Sequence, residues 1–171
     1  IGFTIGFEGT STQTVLECVK MAVSHKGDVC KKYPSIQNDW PCWGMPQYLK
    51  LDNGSEFHSL AFRMSMEEMG IGLIYCPRKK AWFKGRVERA LKRFNHELIA
   101  TLPGATFTQL YNRITGNDPS KYAVIDVKRL KEIIHTWVID NYHQTYQKRI
   151  KSTPHQAWKR LFDMTLVPLP G

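Results

Sequence analysis

Residues 48–57 read YLKLDNGSEF, and the fold class turns on how that run is taken. Its first four residues are a short strand, and the strand ends on Asp52. Asn-Gly most often closes a hairpin. The residues after it do not continue as a second strand. Ser55 reads as the N-cap of a helix that runs to about Met69, where Gly70 stops it. IGLIYC, residues 71–76, is then a second buried strand. Strand, helix, strand implies a parallel pair joined by a crossover. In open α/β sheets, ligand sites lie beyond the carboxyl ends of the strands. Asp52 stands at such an end, which suits chemistry; on the motif alone, a plain turn residue is the competing reading.

The rest of the chain extends the α/β order. Ile1, Phe3, Ile5 and Phe7 alternate with small or polar residues and predict a strand. GTSTQ supplies a turn and an N-cap. From Thr12 to His25 the residues Val15, Val19 and Ala22 recur at helical spacing, and Gly27 ends that helix. Residues 28–46 read as loop. PRKKAWFKG is a basic loop, and a helix runs from Arg86 to about Ala100 with Val87, Leu91, Phe94 and Leu98 on one face. Residues 102–124 read as an inserted loop. Val127, Leu130, Ile134, Trp137 and Asn141 line a further helix. Pro154, just inside the N-terminus of TPHQAWKRLF, opens a last one. One α/β domain over residues 1–171 is the simplest organisation, with 126–163 as its C-terminal helices.

Lys and Arg total 24 against 15 Asp and Glu, a net charge of +9 and a pI near 9.5. That balance favours a polyanionic partner, most simply DNA. No run of 18 apolar residues predicts a membrane span. The four cysteines show no Cys-x-x-Cys pair, so free thiols in a reducing cytoplasm are expected, not zinc ligation. The six histidines show no metal-like pairing. The chain opens without a methionine, as a piece of a longer protein would.

Glu88 is the second informative carboxylate. It is the only acid between Arg78 and Arg93, among Arg78, Lys79, Lys80, Lys84, Arg86, Arg89, Lys92 and Arg93. Such a stripe can track a phosphate backbone, and Trp82 and Phe83 within it could stack on a base. If the two strands pair in parallel, the loop after Cys76 emerges at the same sheet edge as Asp52, and Glu88 can approach it. Converging carboxylates repel unless a cation joins them. Hard oxygen ligands suit magnesium or manganese. The competing reading makes Glu88 an ordinary helix residue bridging Lys84 and Lys92. Glu56, Glu67 and Glu68 read as the solvated face of their helix.

DNGSEF, then GIGLIYCPRKKAWFKGRVERALKRFNHEL, resembles the catalytic core of retroviral integrases and DDE transposases. Thirty-five residues separate Asp52 from Glu88, as in that family, and GRVE matches its Gly-x-x-Glu. NYHQTYQKRIKSTPHQAW makes the similarity greatest to bacterial Mu-type transposases. The resemblance implies an RNase H-like fold, a mixed sheet flanked by helices. It implies donor-strand cleavage and then 3′-hydroxyl strand transfer into target DNA, by a homo-oligomer using two magnesium (or manganese) ions. Asp52 and Glu88 would be the catalytic metal ligands. From the basic stripe itself, Arg78, Lys79, Lys80, Trp82, Lys84, Arg86, Arg89, Lys92 and Arg93 are expected to line the DNA, with Lys84, Arg86, Lys92 and Arg93 on its backbone. The family's first Asp has no counterpart in this chain. Asp28 and Asp39 lie in the wrong place, and IGFTIGFEG aligns with the family's third strand. The N-terminal strands are therefore expected to be missing and the fragment inactive alone. A non-catalytic DNA-binding or assembly module, and a nuclease that never joins strands, are the competing functions.

Overall fold

A computed structural model of the protein describes residues 1–6, 9–77, 85–102 and 125–162. They fall into two compact units, Ile1–Lys80 with Val138–Gly171, and Ala81–Trp137. The first unit is α/β. Strands β1 (Tyr48–Leu51) and β2 (Gly72–Tyr75) pair in parallel, with Tyr48 opposite Gly72 and Leu51 opposite Tyr75. The crossover between them carries a 3-10 turn, Ser55–His58, and helix α3, Leu60–Glu68; helix α1, Thr12–Val23, packs against both. Leu51, Phe62, Met66 and Ile71 form the buried core, with Val15, Leu16 and Val19 of α1 packed on it. Phe62 and Met66 are fully buried, each worth about 1.5–3 kcal/mol of transfer free energy. One sheet face stays open: Ile74 is 39% exposed, so β2 is less buried than its apolar sequence suggests.

The ends of these helices obey local chemistry. Ser11 Oγ accepts from Thr14 N–H at 3.2 Å and caps α1. The cap of α3 is Ser59, not Ser55: its Oγ accepts from Phe62 N–H at 3.3 Å, and the four residues before it form the 3-10 turn. At the other end of α3 the Gly70 N–H donates to Glu67 O at 2.9 Å and the Ile71 N–H to Met66 O at 2.8 Å. This pair of hydrogen bonds is a Schellman motif, which needs a left-handed residue after the cap, and Gly70 has φ +68°.

Three further expectations are corrected. Residues 1–6 form no strand. Gly2 instead lies so close to α1 that a Cβ there would come within 2.1 Å of Cys18 O, and Phe3 N–H points at Met21 Sδ, 3.3 Å away. Apolar alternation makes a strand only where a neighbour offers a ladder. Gly27 does not end α1, which stops at Val23; it begins the short helix α2, Gly27–Lys32, within a stretch expected to be loop. The helix expected around Val127 to Asn141 is α5, Val127–Thr136, continued by a π turn, Trp137–Tyr142.

The expected last helix is present as α6, Pro154–Phe162, with Thr153 Oγ1 accepting from Gln156 N–H at 3.2 Å. Within the first unit, the π turn and α6 clasp residues 37–40. Asp140 accepts from the backbone N–H groups of Gln37 and Asn38 at 3.0 and 2.9 Å. His155 Nε2 and Lys159 Nζ reach Asp39 at 2.7 and 3.1 Å. Lys26, 4% exposed, donates to Ala22 O, Ser24 O and Cys42 O, and lies 5.4 Å from the Trp40 ring centre. Burial pushes its pKa down to about 8. His143 stacks edge-on against Trp40 and is 3% exposed.

These ends and this clasp give two expected outcomes. Gly70→Ala should lower the unfolding free energy by about 1 kcal/mol. A Cβ there meets nothing within 4 Å, so the loss is backbone strain alone; an unchanged urea midpoint would contradict it. For His143, burial first and then neighbouring positive charges, His155 and Lys26 among them, push the pKa from 6.5 down to about 4. The unfolded chain therefore binds the proton first. Stability is complete above about pH 6.5 and falls as the pH drops toward 4, by roughly 1–3 kcal/mol. Urea midpoints across that window should flatten in His143→Gln; an equally steep variant would refute the assignment.

Candidate active site

Asp52 leaves β1 directly after buried Leu51. It is half-buried, and its Oδ1 accepts from the Gly54 N–H at 3.1 Å. That is an Asx turn, in which a short side chain bonds its own backbone two residues on. The Asn53 side-chain amide donates to Cys76 O at 2.9 Å. Cys76 N–H donates to Leu51 O at 2.8 Å. The exits of the two strands are thus stitched together, and Asp52 sits at their common carboxyl end, as the sequence implied.

The 3-10 turn changes the role of its side chains. Glu56 is half-buried and its carboxylate folds over Gly54, where a Cβ would lie 2.7 Å from its Oε1. The expected placement of Glu56 on a solvated helix face is therefore corrected: the tighter turn swings it back toward Gly54. Glu67 and Glu68 are exposed on α3, as expected. Tyr75, the last residue of β2, donates its hydroxyl to Phe57 O at 2.7 Å. The His58 ring stacks on Tyr75, with centroids 4.5 Å apart and planes 11° apart. No sequence signal marked His58, because the stack depends on the crossover bringing residue 58 over the end of β2.

In the second unit, helix α4 spans Gly85–Glu97 with Glu88 in its first turn. Glu88, Arg89 and Lys92 are exposed. No ion pair joins Glu88 to Lys92 among the described residues, so the helix bridge to Lys92 is not formed. Arg93 is engaged by Glu97 at 2.6 Å. Of the expected apolar face, Leu98 is buried and Phe94 meets Trp137 edge-on at 5.3 Å, while Val87 and Leu91 are 62% and 55% exposed. Arg78, Lys79, Lys80, Trp82 and Lys84 lie outside the described residues, as does the side chain of Arg86.

The structure therefore gathers Asp52, Asn53 and Glu56 on one turn of the first unit, and holds Glu88, Arg89 and Lys92 on one helix of the second. Among the described residues, no group of three His, Cys, Asp or Glu gathers to hold a metal ion. The donors at Asp52 and Glu88 are carboxylate oxygens, the ligand type that suits magnesium or manganese. All four cysteines are free thiols. No helix among the described residues is long and apolar enough to cross a membrane.

This chain is similar to transposases. It is 25% identical over 157 residues to the transposase for transposon Tn552 of Staphylococcus aureus, which takes in 92% of this chain and 29% of that protein. It is 29% identical over 105 residues to the transposon Tn7 transposition protein TnsB of Escherichia coli, 60% of this chain and 15% of that one. Residues 1–104 match the TnsB C-terminal domain, and the chain belongs to that family. It spans less than a third of the length of either relative.

Proposed function

We propose that the chain serves DNA transposition as part of the RNase H-like catalytic core of a DDE-type transposase. The observation that carries this reading is Asp52 held at the carboxyl end of a parallel strand pair. Glu88 lies thirty-six positions further on, in a chain of transposase kinship. Asp52 and Glu88 are the proposed ligands of two divalent ions. A third carboxylate comes from a part of the whole protein outside this chain. Magnesium or manganese, when bound, supplies charge neutralisation at the attacking and leaving oxygens.

The chemistry is two in-line displacements at phosphorus. In the first, a water oxygen attacks at the element end; a P–O bond forms to it, the P–O3′ bond breaks, and a 3′ hydroxyl and a 5′ phosphate are left. In the second, that hydroxyl attacks a target phosphodiester and expels the target's own 3′ oxygen, so one phosphodiester replaces another. The Asx turn keeps Asp52 in one orientation through both steps, which limits the reorganisation each requires. Arg89 and Lys92 are exposed cations on the helix that carries Glu88, and they hold the DNA backbone near it. The protein works on DNA as a homo-oligomer.

A magnesium-dependent strand-joining assay on the intact protein tests this. Asp52→Asn and Glu88→Gln should each abolish joining while DNA binding persists. Joining that survives either change sinks the assignment. Cleavage without joining in the wild type would make the protein a nuclease, and binding without cleavage would make it an assembly module.

The backbone contacts have their own signature. Lys92→Ala should reduce the salt slope of DNA binding by about one unit. Arg93→Ala should change it less, because Glu97 already engages that guanidinium. Equal slopes in wild type and Lys92→Ala would remove Lys92 from the interface.

A further inference from the structure

The His58–Tyr75 pair has no part in the two displacements. Its geometry is nonetheless specific. The two rings lie 4.5 Å apart and within 11° of parallel. Tyr75 is the last residue of β2 and stands opposite Leu51, the residue before Asp52. The stack is therefore at the carboxyl end of the strands, one crossover turn away from Asp52. One face of the imidazole is covered by Tyr75, yet His58 as a residue remains exposed.

The turn that carries His58 is also anchored on both sides. The carbonyl before His58, on Phe57, is bonded by the Tyr75 hydroxyl at 2.7 Å. Phe57 packs edge-on against fully buried Phe62. The residue after His58, Ser59, donates its hydroxyl to Glu56 O at 3.0 Å and receives the Thr12 hydroxyl at 2.9 Å, which ties the turn to α1. A ring backed by a tyrosine and carried on an anchored turn loses little freedom when something stacks on it. Tyr75 and Phe57 both pack on the buried core, which anchors the ring beneath His58.

We infer that His58, backed by Tyr75, is a stacking platform for an unpaired DNA base next to the phosphate that Asp52 serves. Bases stack on flat aromatic side chains whatever their sequence. A net charge of +9 draws the strand to the protein. The platform rests on the transposase reading for its place beside a scissile phosphate, whereas base stacking itself does not depend on catalysis.

The test uses this 171-residue chain and a forked oligonucleotide carrying 2-aminopurine in its unpaired arm, whose fluorescence is quenched by stacking. The wild type should quench on binding. His58→Ala should lose the quench and weaken binding about tenfold, with an unchanged salt slope. His58→Phe, which keeps a flat ring on Tyr75, should restore the quench. Thermal melting of both variants separates a lost platform from a lost fold, since neither change touches the bonds made by Tyr75 and Ser59. Equal quenching by wild type and His58→Ala overturns the inference, as does a wild type that never quenches. The quench needs no metal and no joining, so a failure of the catalytic assignment shows in the joining assay and leaves this result standing.

Discussion

The parallel pairing of Tyr48–Leu51 with Gly72–Tyr75 is the constraint on which the first unit depends. Two parallel strands cannot be joined by a tight turn, so the chain must travel back along the sheet before β2 begins. That return is α3, which buries Phe62 and Met66 on the sheet. It must also stop abruptly, because β2 starts two residues after Gly70. The Schellman closure does this, and it places Ile71 directly beside Met66 in the core. With both strands pointing the same way, their exits emerge together. One side-chain bond, Asn53 to Cys76 O, fastens the exits to each other, and Asp52 has little freedom left.

The clasp around residues 37–40 solves a different problem. That stretch leaves Gln37 and Asp39 exposed while it carries half-buried Asn38 and buried Trp40 inward. A partly covered backbone N–H, such as that of Asn38, is costly to leave without a partner. Asp140 takes three donors at once, from Gln37 N–H and from the backbone and side chain of Asn38. The π turn carries Asp140 together with buried Val138 and Ile139, and His143 N–H closes back to Val138 O at 3.0 Å. Lys26 meets the carbonyls left over at the end of α1, where a cation is favoured. The Tyr-His and Thr-Pro-His parts of the distal sequence are thus accounted for by structure: His143 lies on Trp40, and His155 holds Asp39.

How much of this was legible in the sequence depended on whether the deciding force was local. The two strands, the stop at Gly70 and the start at Pro154 were legible because each rests on a residue whose backbone preference fixes the answer. The parallel order was legible because a helix-length gap excludes a hairpin. Residues 1–6 were not, because their alternation describes a surface and not its partner, and α1 supplied the partner. Ser55 and Ser59 are equally good caps in isolation. The choice between them was made by Tyr75, which reaches Phe57 O and holds the intervening residues in a 3-10 turn. That same tertiary contact moved Glu56 off a solvated face and created the His58 stack. At the candidate site, Asp52 could be read from its place at a strand end, while its neighbours could not be read without the crossover geometry.

The two carboxylates also differ in what their positions imply. Glu88 stands in the first turn of a helix, where the backbone dipole favours a negative charge by about 0.3–1 kcal/mol, and it is exposed among cations. A carboxylate there is locally favourable whether or not it does anything else. Asp52 is placed by a turn instead. It is half-buried just past the last residue of β1, at the start of an Asx turn. The Asx turn it makes is one that asparagine or serine would also make. What those residues lack is the charge. The turn itself needs no charge, whereas a metal ligand does. The weight of the functional reading therefore rests on Asp52 more than on Glu88.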